Sequence, residues 1–294
     1  LRVAGGEEHF AFNSVLGQLF FGLASFLSPL AYSYLVRNIE QQNAPAILQS
    51  LGALLPEGLP WISLYWVFGI ISLLMVVVLV LMRFPEIMLK EDEKVGALQT
   101  HLDLLKNPIT ILYFFSVFAY VGTEQGVANW ISQFLLTYHQ YDPQTVGATT
   151  VSWFWGLMTA GTLLGLLLLK FMDSRKILIA FSMAAIVSLS LALFSPGPVA
   201  KIAFPMIGFF ASVMWSIIIS LALNSVVNHH GSLSGILVTG IAGGAVVPLV
   251  IGWLGDIVGL KAGLLLLYLT LGYVMCIGFW AKPLINNQTI TNKD

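Results

Sequence analysis

Long apolar segments follow one another along the chain, separated by shorter polar stretches. A transmembrane helix needs roughly 20 predominantly apolar residues, and eight segments approach or exceed that length. They cover residues 10–36, 61–82, 108–138, 146–169, 177–194, 202–227, 232–253 and 262–281. The pattern therefore predicts an all-α polytopic membrane protein with eight spans.

The polar residues within these segments recur in a regular order. The first, third and sixth segments contain amides or acids, the fourth and seventh are rich in Gly, Ser and Thr, and the second, fifth and eighth contain few of either. Polar groups are costly in hydrocarbon and face a bundle interior or a wet cavity, so we expect the second, fifth and eighth segments to lie outermost. From the third segment on, this three-segment order occurs twice. Successive triplets of spans point in opposite directions, as in the inverted repeats of transporters.

Composition and charge narrow the class of protein. The chain has 57% hydrophobic and 9% charged residues, against about 25% charged residues in soluble domains, so the lipid bilayer is its main partner. No basic patch favours nucleic acid. If residues 1–9 are cytoplasmic, ten of the 13 Lys and Arg residues fall on the cytoplasmic side. Because positive charge concentrates on that side, we expect a multi-pass protein of the cytoplasmic (inner) membrane with a cytoplasmic C-terminus.

A charged loop divides the spans into two groups. We interpret residues 107–294 as a C-terminal six-helix half, 84–106 as a cytoplasmic inter-domain loop, and 1–83 as the last two helices of an N-terminal half. Leucines at helical spacing predict a short surface helix near residues 96–106 of the loop. The chain begins without Met in a polar stretch, so the interpretation is an N-terminally truncated fragment of a twelve-helix protein that lacks four helices.

Amides supply the first candidate site. Gln125, Asn129 and Gln133 lie at positions i, i+4 and i+8, which share one face of a helix. Each amide both donates and accepts hydrogen bonds, as sugar hydroxyls do, so this ladder suits a polyol substrate. The alternative is hydrogen bonding between helices without a ligand. Asn224, in the sixth segment, carries the same two interpretations.

Two tryptophan residues supply the second candidate site. Trp153 and Trp155 lie in the fourth segment, and the amphipathic body of a Trp ring can stack on the C–H face of a sugar. The two side chains project about 200° apart on a helix, so at most one of them faces a given cavity.

Glu124 is the only acid near the middle of any predicted span, and no Lys or Arg lies within the spans to neutralise it. Desolvation favours the neutral, protonated carboxyl, which makes Glu124 a candidate for proton coupling. On an ideal helix it points away from the amide face. The alternative is a neutral Glu that hydrogen-bonds to a neighbouring helix for structure alone.

The chain carries no sign of catalysis or of a cofactor. There is no phosphate loop and no hydrolase motif, and His229 and His230 have no further Cys or His close in sequence to complete a metal site. We therefore expect no enzyme activity, no catalytic residues, no metal and no cofactor. A membrane enzyme or a lipid-handling protein would need a nucleophile or a metal cluster near one interface.

Several motifs together resemble the fucose–galactose–glucose:proton symporter family, the L-fucose permease branch of the major facilitator superfamily. The motifs are YVGTEQGVANWI at 120–131, WFWG at 153–156, SLAL at 220–223, GGAVVP at 243–248 and GWLGD at 252–256. They span the six-helix unit in the family's order. Gly161–Thr162 stands where the family often has Gly-Arg, so one charge is missing here.

The resemblance implies the major-facilitator fold, with the eight spans equivalent to helices 5–12 of twelve. It also implies sugar transport by alternating access, with a proton or sodium as the coupling ion, and Glu124 matches the family's acid in the seventh helix. The family's best-attested coupling acids lie in the first four helices. Two alternatives remain: a major-facilitator carrier of another small polar solute, and a non-transporting membrane sensor derived from one.

Overall fold

The computed structural model describes residues 10–39, 41, 45–56, 58–82, 98–226 and 229–283, without the side chains of 10–19, 98 and 166. Every regular element in these ranges is a helix. The first part of the chain contains α1 (Phe10–Asn38), a short α2 (Ala46–Gly52) and α3 (Ser63–Leu81), which follows a single 3₁₀ turn. The predicted loop segment 84–97 and both termini lie outside the described residues.

Six further long helical units, which we call rods, follow a short surface helix. A rod is one helix or two helices joined end to end. They are α5 (Pro108–His139), α6 (Ala148–Leu168), α7 (Ser174–Phe194), a rod made of α8 (Gly197–Ala211) and α9 (Met214–Leu223), a rod made of α10 (His230–Thr239) and α11 (Gly243–Val258), and a rod made of α12 (Leu260–Leu264) and α13 (Leu266–Trp280). The surface helix is α4 (Leu98–Lys106).

The eight predicted segments all correspond to rods, with ends within about five residues of the prediction. Only the short α2 was not predicted. By length and composition, five rods among the described residues could cross a membrane, and a sixth does so if α4 and α5 count as one bent span.

A sharp bend separates the surface helix α4 from α5. The two axes meet at 87°, because Asn107 ends one helix and caps the next. Its side chain accepts a hydrogen bond from the Ile109 amide at 3.0 Å, and Pro108 occupies the first helical position, where its missing N–H costs nothing. Leu104 of α4 packs on the bundle while Leu102 and Leu105 remain exposed. The predicted surface helix is confirmed.

Packing within the six-rod unit follows the predicted inverted repeat. A two-fold axis that exchanges the triplets pairs α5 with α8–α9, α6 with α10–α11, and α7 with α12–α13. The observed partners obey this exchange: α6 packs on α8 as α5 packs on α11, and α7 packs on α8 as α5 packs on α13. The third members of the two triplets, α7 and α13, pack on each other.

Small residues set the closest approaches between these rods. A Cβ added at Gly161 would lie 2.5 Å from the Phe209 carbonyl oxygen, and one at Gly165 or Gly243 would collide with Val213 or with the Phe118 carbonyl. Membrane helices associate through van der Waals contact at such positions. Gly161 and Gly165 lie four residues apart on α6 and so form a pair of small residues on one face of that helix.

Burial agrees only in part with the expected outer positions. None of the most apolar 18-residue window of the α3 span is buried, as expected for the second segment. The fifth and eighth segments do not differ clearly from the others in burial, since 44% and 33% of their most apolar 18-residue windows are buried, against 39% for the seventh segment. Burial does not separate these segments because α7 and α13 bury one face against each other, so their outer position stays a prediction.

Candidate functional site

A cavity of about 670 Å³ lies between the middle of α5 and the helices that surround it. Its walls come from α1, α5, α6, α9, the turn at residues 212–213 between α8 and α9, and the α10–α11 rod. The lining residues are Phe21, Gly22, Tyr120, Val121, Glu124, Gln125, Trp155, Met158, Thr159, Thr162, Leu163, Ser212, Trp215, Ile241, Gly244 and Ala245. The volume is within the usual range for small-molecule sites.

One carboxyl group is fixed in this cavity by two neighbours on its own helix. The Tyr120 hydroxyl donates to Oε2 of Glu124 at 2.6 Å, one helical turn away. The Gln125 amide donates to Oε1 at 3.1 Å. Tyr120 is itself buried, so this end of the network is shielded while Glu124 and Gln125 keep partial exposure to the cavity.

Aromatic rings form the opposite walls. Trp155 of α6 packs edge-on against Phe21 of α1, with ring centres 6.0 Å apart. Trp215 of α9 lies 6.1 Å from the Tyr120 ring. Both indoles are partly exposed, so the cavity combines flat apolar faces with a hydrogen-bonding carboxyl–amide pair.

Hydroxyl groups of α6 and the α8–α9 turn complete the polar lining. Thr159 and Thr162 donate to carbonyl oxygens of α6 at 3.0 Å each, and Ser212 donates to the Phe209 carbonyl at 2.7 Å. A hydroxyl whose proton is used in this way still has lone pairs to accept with. These three groups therefore have lone pairs available to accept hydrogen bonds in the cavity.

Pro248 shapes the wall supplied by α11. Because proline has no N–H, the carbonyl of Gly244, four residues earlier, cannot receive the usual helical bond from it. Gly244 lines the cavity, and a Cβ there would lie 3.0 Å from Cγ of Gln125. The Trp130 indole donates to the Pro248 carbonyl at 3.0 Å and ties α5 to this part of α11.

The structure brings together only some of the predicted site residues. Glu124, Gln125 and Trp155 line the same cavity. Asn129 and Gln133 are exposed and lie outside its lining, so the three-amide ladder does not form in this cavity. The residues share a helix face, but eight residues cover roughly 12 Å of axis, and the cavity faces the middle of α5.

The other two predicted residues lie elsewhere. Trp153 lines a second cavity between α1 and α6 and packs edge-on against Phe26, with ring centres 5.6 Å apart. The opposition of Trp153 and Trp155 is therefore as predicted. Asn224 caps the C-terminal end of α9, where its amide lies 3.5 Å from the Ser220 hydroxyl, outside the central cavity.

The direction predicted for the Glu124 side chain is wrong, and several residues that line the cavity were not predicted. Glu124 reaches the cavity beside Gln125, because residues i and i+1 can both border a cavity that spreads over a wide arc of a helix. Tyr120 and Glu124 on α5, and Trp155, Thr159 and Thr162 on α6, follow spacings of three and four residues. That common helical stripe was the signal available in the sequence.

No group of three His, Cys, Asp or Glu side chains in the described ranges is arranged to hold a metal ion. The cavity lining itself offers hydrogen-bonding groups, flat aromatic faces and one ionisable carboxyl. It suits an uncharged solute with several hydroxyl groups, or the binding and release of a proton.

Comparisons with known proteins identify the family of this chain. Residues 6–248 match the Major Facilitator Superfamily. A glucose/galactose transporter of Brucella abortus is 31% identical over 193 residues, which are 64% of this chain and 44% of that protein. A putative glucose/galactose transporter of Helicobacter pylori is 26% identical over 252 residues, 85% of this chain and 59% of its own length.

A crystal structure of the Escherichia coli fucose:proton symporter FucP has the same fold. It superposes with a TM-score of 0.67 at 21% sequence identity and covers 95% of this chain and 71% of its own. The chain thus spans roughly half the length of the curated relatives it matches. The predicted resemblance is confirmed, and the chain belongs to the Major Facilitator Superfamily.

Proposed function

We propose that this chain is part of a secondary active transporter that moves a hexose or a deoxyhexose across the cytoplasmic membrane by alternating access. The observation that carries the proposal is the central cavity, in which the Glu124–Gln125 pair faces Trp155 and Trp215. Hydroxyl-rich solutes need both donors and acceptors, and their C–H faces stack on indole rings. The curated relatives named for glucose and galactose support the same substrate class.

Proton coupling is the second part of the proposal. The Glu124 carboxyl lies in the cavity, within hydrogen-bond distance of Tyr120 and Gln125. A proton on this group would exchange one acceptor for a donor, which changes what the cavity offers to a sugar hydroxyl. Sodium is the alternative coupling ion, and the test below separates the two.

The predicted domains and orientation belong to the same proposal. Residues 107–294 would form the C-terminal half of a twelve-helix protein, and α1 and α3 the end of the N-terminal half. The C-terminus would face the cytoplasm of the inner membrane. The orientation can be tested by fusing, after residue 294, a reporter that fluoresces only in the cytoplasm. An intact fusion protein that does not fluoresce would reverse the predicted orientation.

Uptake by the full-length protein tests the substrate. Cells or proteoliposomes should accumulate labelled glucose, galactose or fucose, and an imposed inward proton gradient should drive the accumulation without sodium. Accumulation that requires sodium would replace the proton in the proposal. Binding of sugar without any transport would indicate a sensor, and failure to bind any sugar would point to another small polar solute.

Glu124→Gln tests the coupling carboxyl directly. The amide imitates the neutral acid, so equilibrative sugar exchange should continue while proton-driven accumulation falls toward the equilibrium level and its pH dependence weakens. Asp256→Asn, at an exposed acid near the end of α11, is the matched control and should leave both unchanged. A Glu124→Gln protein that still accumulates sugar with the parent pH profile would assign Glu124 a structural role.

A further inference from the structure

A second cavity, distinct from the central one, lies at the seam where α1 packs on α6. It measures about 780 Å³ and is also bordered by the start of α8. Two of its lining residues are the cations Arg37 and Lys201. With Lys261, these are the only cations on the face that we expect to be extracytoplasmic, so two of three converge on one cavity.

Polar and apolar groups separate along the depth of this cavity. Arg37 and Asn38 end α1, Thr145 lies in the turn before α6, and Lys201 lies one turn into α8. Leu30 and Trp153 lie seven and eight residues further into α1 and α6, which is roughly 10–12 Å toward the membrane centre. A charged rim above an apolar wall at that spacing matches a phospholipid headgroup above its acyl chains.

The apolar wall is continuous with the outer surface of the rods. Ile202 is 68% exposed and Trp153 is 52% exposed, so the cavity opens sideways between helices. Trp is favoured where a membrane changes from polar to apolar. A small soluble anion would not contact these exposed apolar groups, whereas the acyl chain of a lipid would cover them.

The charges at the rim favour an anion. Lys201 places its ammonium 4.8 Å from the centre of the Tyr141 ring, and within the described part of the chain neither Lys201 nor Arg37 forms a salt bridge. Asp142 is the nearby acid. Its carboxylate caps the turn that precedes α6 by accepting from the Gln144 amide at 3.1 Å, and it also interacts electrostatically with Arg37. One negative charge against two cations leaves the rim with a net positive charge.

We propose that this seam binds one anionic phospholipid, with its phosphodiester between Arg37 and Lys201 and an acyl chain along Trp153 and Ile202. The lipid would join α1, from the first pair of long rods, to α6 and α8 of the six-rod unit. Ser33 of α1 donates to the Gln144 carbonyl beside the same rim, so the lipid would extend a contact that the protein already makes.

Binding of fluorescent phosphatidylglycerol to the full-length protein in neutral detergent tests the site. Unlabelled phosphatidylglycerol should displace the probe, whereas phosphatidylcholine should be a much weaker competitor. Each cation near an anionic headgroup is worth a roughly five-fold change in affinity. Arg37→Gln with Lys201→Gln should therefore weaken binding about 25-fold, and the matched control Lys170→Gln with Lys176→Gln, at exposed cations elsewhere, should not.

Three results would overturn the proposal. They are equal competition by phosphatidylcholine, displacement by millimolar inorganic phosphate as effective as by the lipid, and an equal loss in the control variant. If the double variant fails to fold, Thr149→Phe decides the question, because it fills the cavity without changing charge. Unchanged lipid affinity in Thr149→Phe would likewise reject the site.

Discussion

Helices α3 and α5 show opposite relations between apolarity and burial. In α3, only Ser63 is buried, although the helix consists almost entirely of aliphatic and aromatic residues. In α5, which contains Glu124, Gln125, Asn129 and Gln133, fifteen residues are buried. A bilayer gives no hydrophobic force that drives apolar side chains together. Small and polar residues therefore decide which rods reach the centre of the bundle.

The same two helices differ in function. Every residue of α3 from Phe68 onward is exposed, and none of them lines the central cavity. Helix α5 contributes the carboxyl, the amide and the buried Tyr120 to that cavity, and its glycines allow close contact with α11. Among the described residues, α3 contributes nothing to the central cavity, whereas α5 supplies four of its lining residues.

The largest expected effect comes from truncating one leucine on each helix. Leu135 of α5 is fully buried, whereas Leu73 of α3 is 68% exposed. Leu135→Ala should cost about 2–5 kcal/mol of unfolding free energy because it leaves a cavity. Leu73→Ala should cost about 0.5 kcal/mol or less, because lipid chains fill the space. Reversible unfolding of the full-length protein in bicelles measures both.

Equal losses in the two variants would break the comparison. That result would show that protein, and not lipid, covers α3, as it would if further helices of an N-terminal half packed there. A loss only in Leu135→Ala would keep α3 at the lipid boundary.

An effect of intermediate size is expected on the KM for sugar when the amides along α5 are replaced one at a time. This prediction assumes the proposed sugar transport. Gln125 lines the central cavity, whereas Asn129 and Gln133 are exposed outside it. Gln125→Ala should raise the KM for sugar about five-fold, the value of one hydrogen bond of about 1 kcal/mol. Asn129→Ala and Gln133→Ala serve as matched controls and should change KM less than about two-fold by the same measure.

Uptake kinetics at several sugar concentrations provide the measurement. If Asn129→Ala raises KM as much as Gln125→Ala does, the substrate extends along the whole amide ladder, as the sequence alone suggested.

The smallest effect concerns how the rods begin. Ile62 precedes α3 and offers no side-chain cap, whereas Asp173 caps α7 by accepting from the Arg175 amide at 2.8 Å. Hydrogen bonds from Arg175, and its charge, hold the pKa of Asp173 below the ordinary value of 3.8 despite partial burial. Asp173→Ala should cost about 1 kcal/mol at neutral pH.

The sign of the pH dependence follows from that lowered pKa. The stabilisation is complete above the ordinary pKa of an aspartate and is lost as the pH falls through the lower pKa of the folded state. The difference in Tm between the parent and Asp173→Ala should therefore shrink in strong acid. Asp103→Asn, at an exposed acid of α4, is the control, and an equal Tm shift there would remove the special role of the cap.

The sequence alone determined the number, order and ends of the long rods, because their length and apolarity depend on the bilayer thickness and not on their neighbours. The order of polar, small and plain segments likewise divided the last six rods into two triplets, whose contacts correspond to each other. Motifs such as YVGTEQGVANWI at 120–131 identified the family, and the opposition of Trp153 and Trp155 followed from helical geometry.

Only the tertiary structure decided which side chains share a cavity. Helical spacing fixes the direction of a side chain but not the depth at which other helices leave a space, so Gln125 reaches the cavity and Asn129 does not. The contacts of Trp155 with Phe21, and the convergence of Arg37 and Lys201, join residues far apart in sequence. Contacts between such distant residues depend on how the rods pack, and no local pattern of residues specifies that packing.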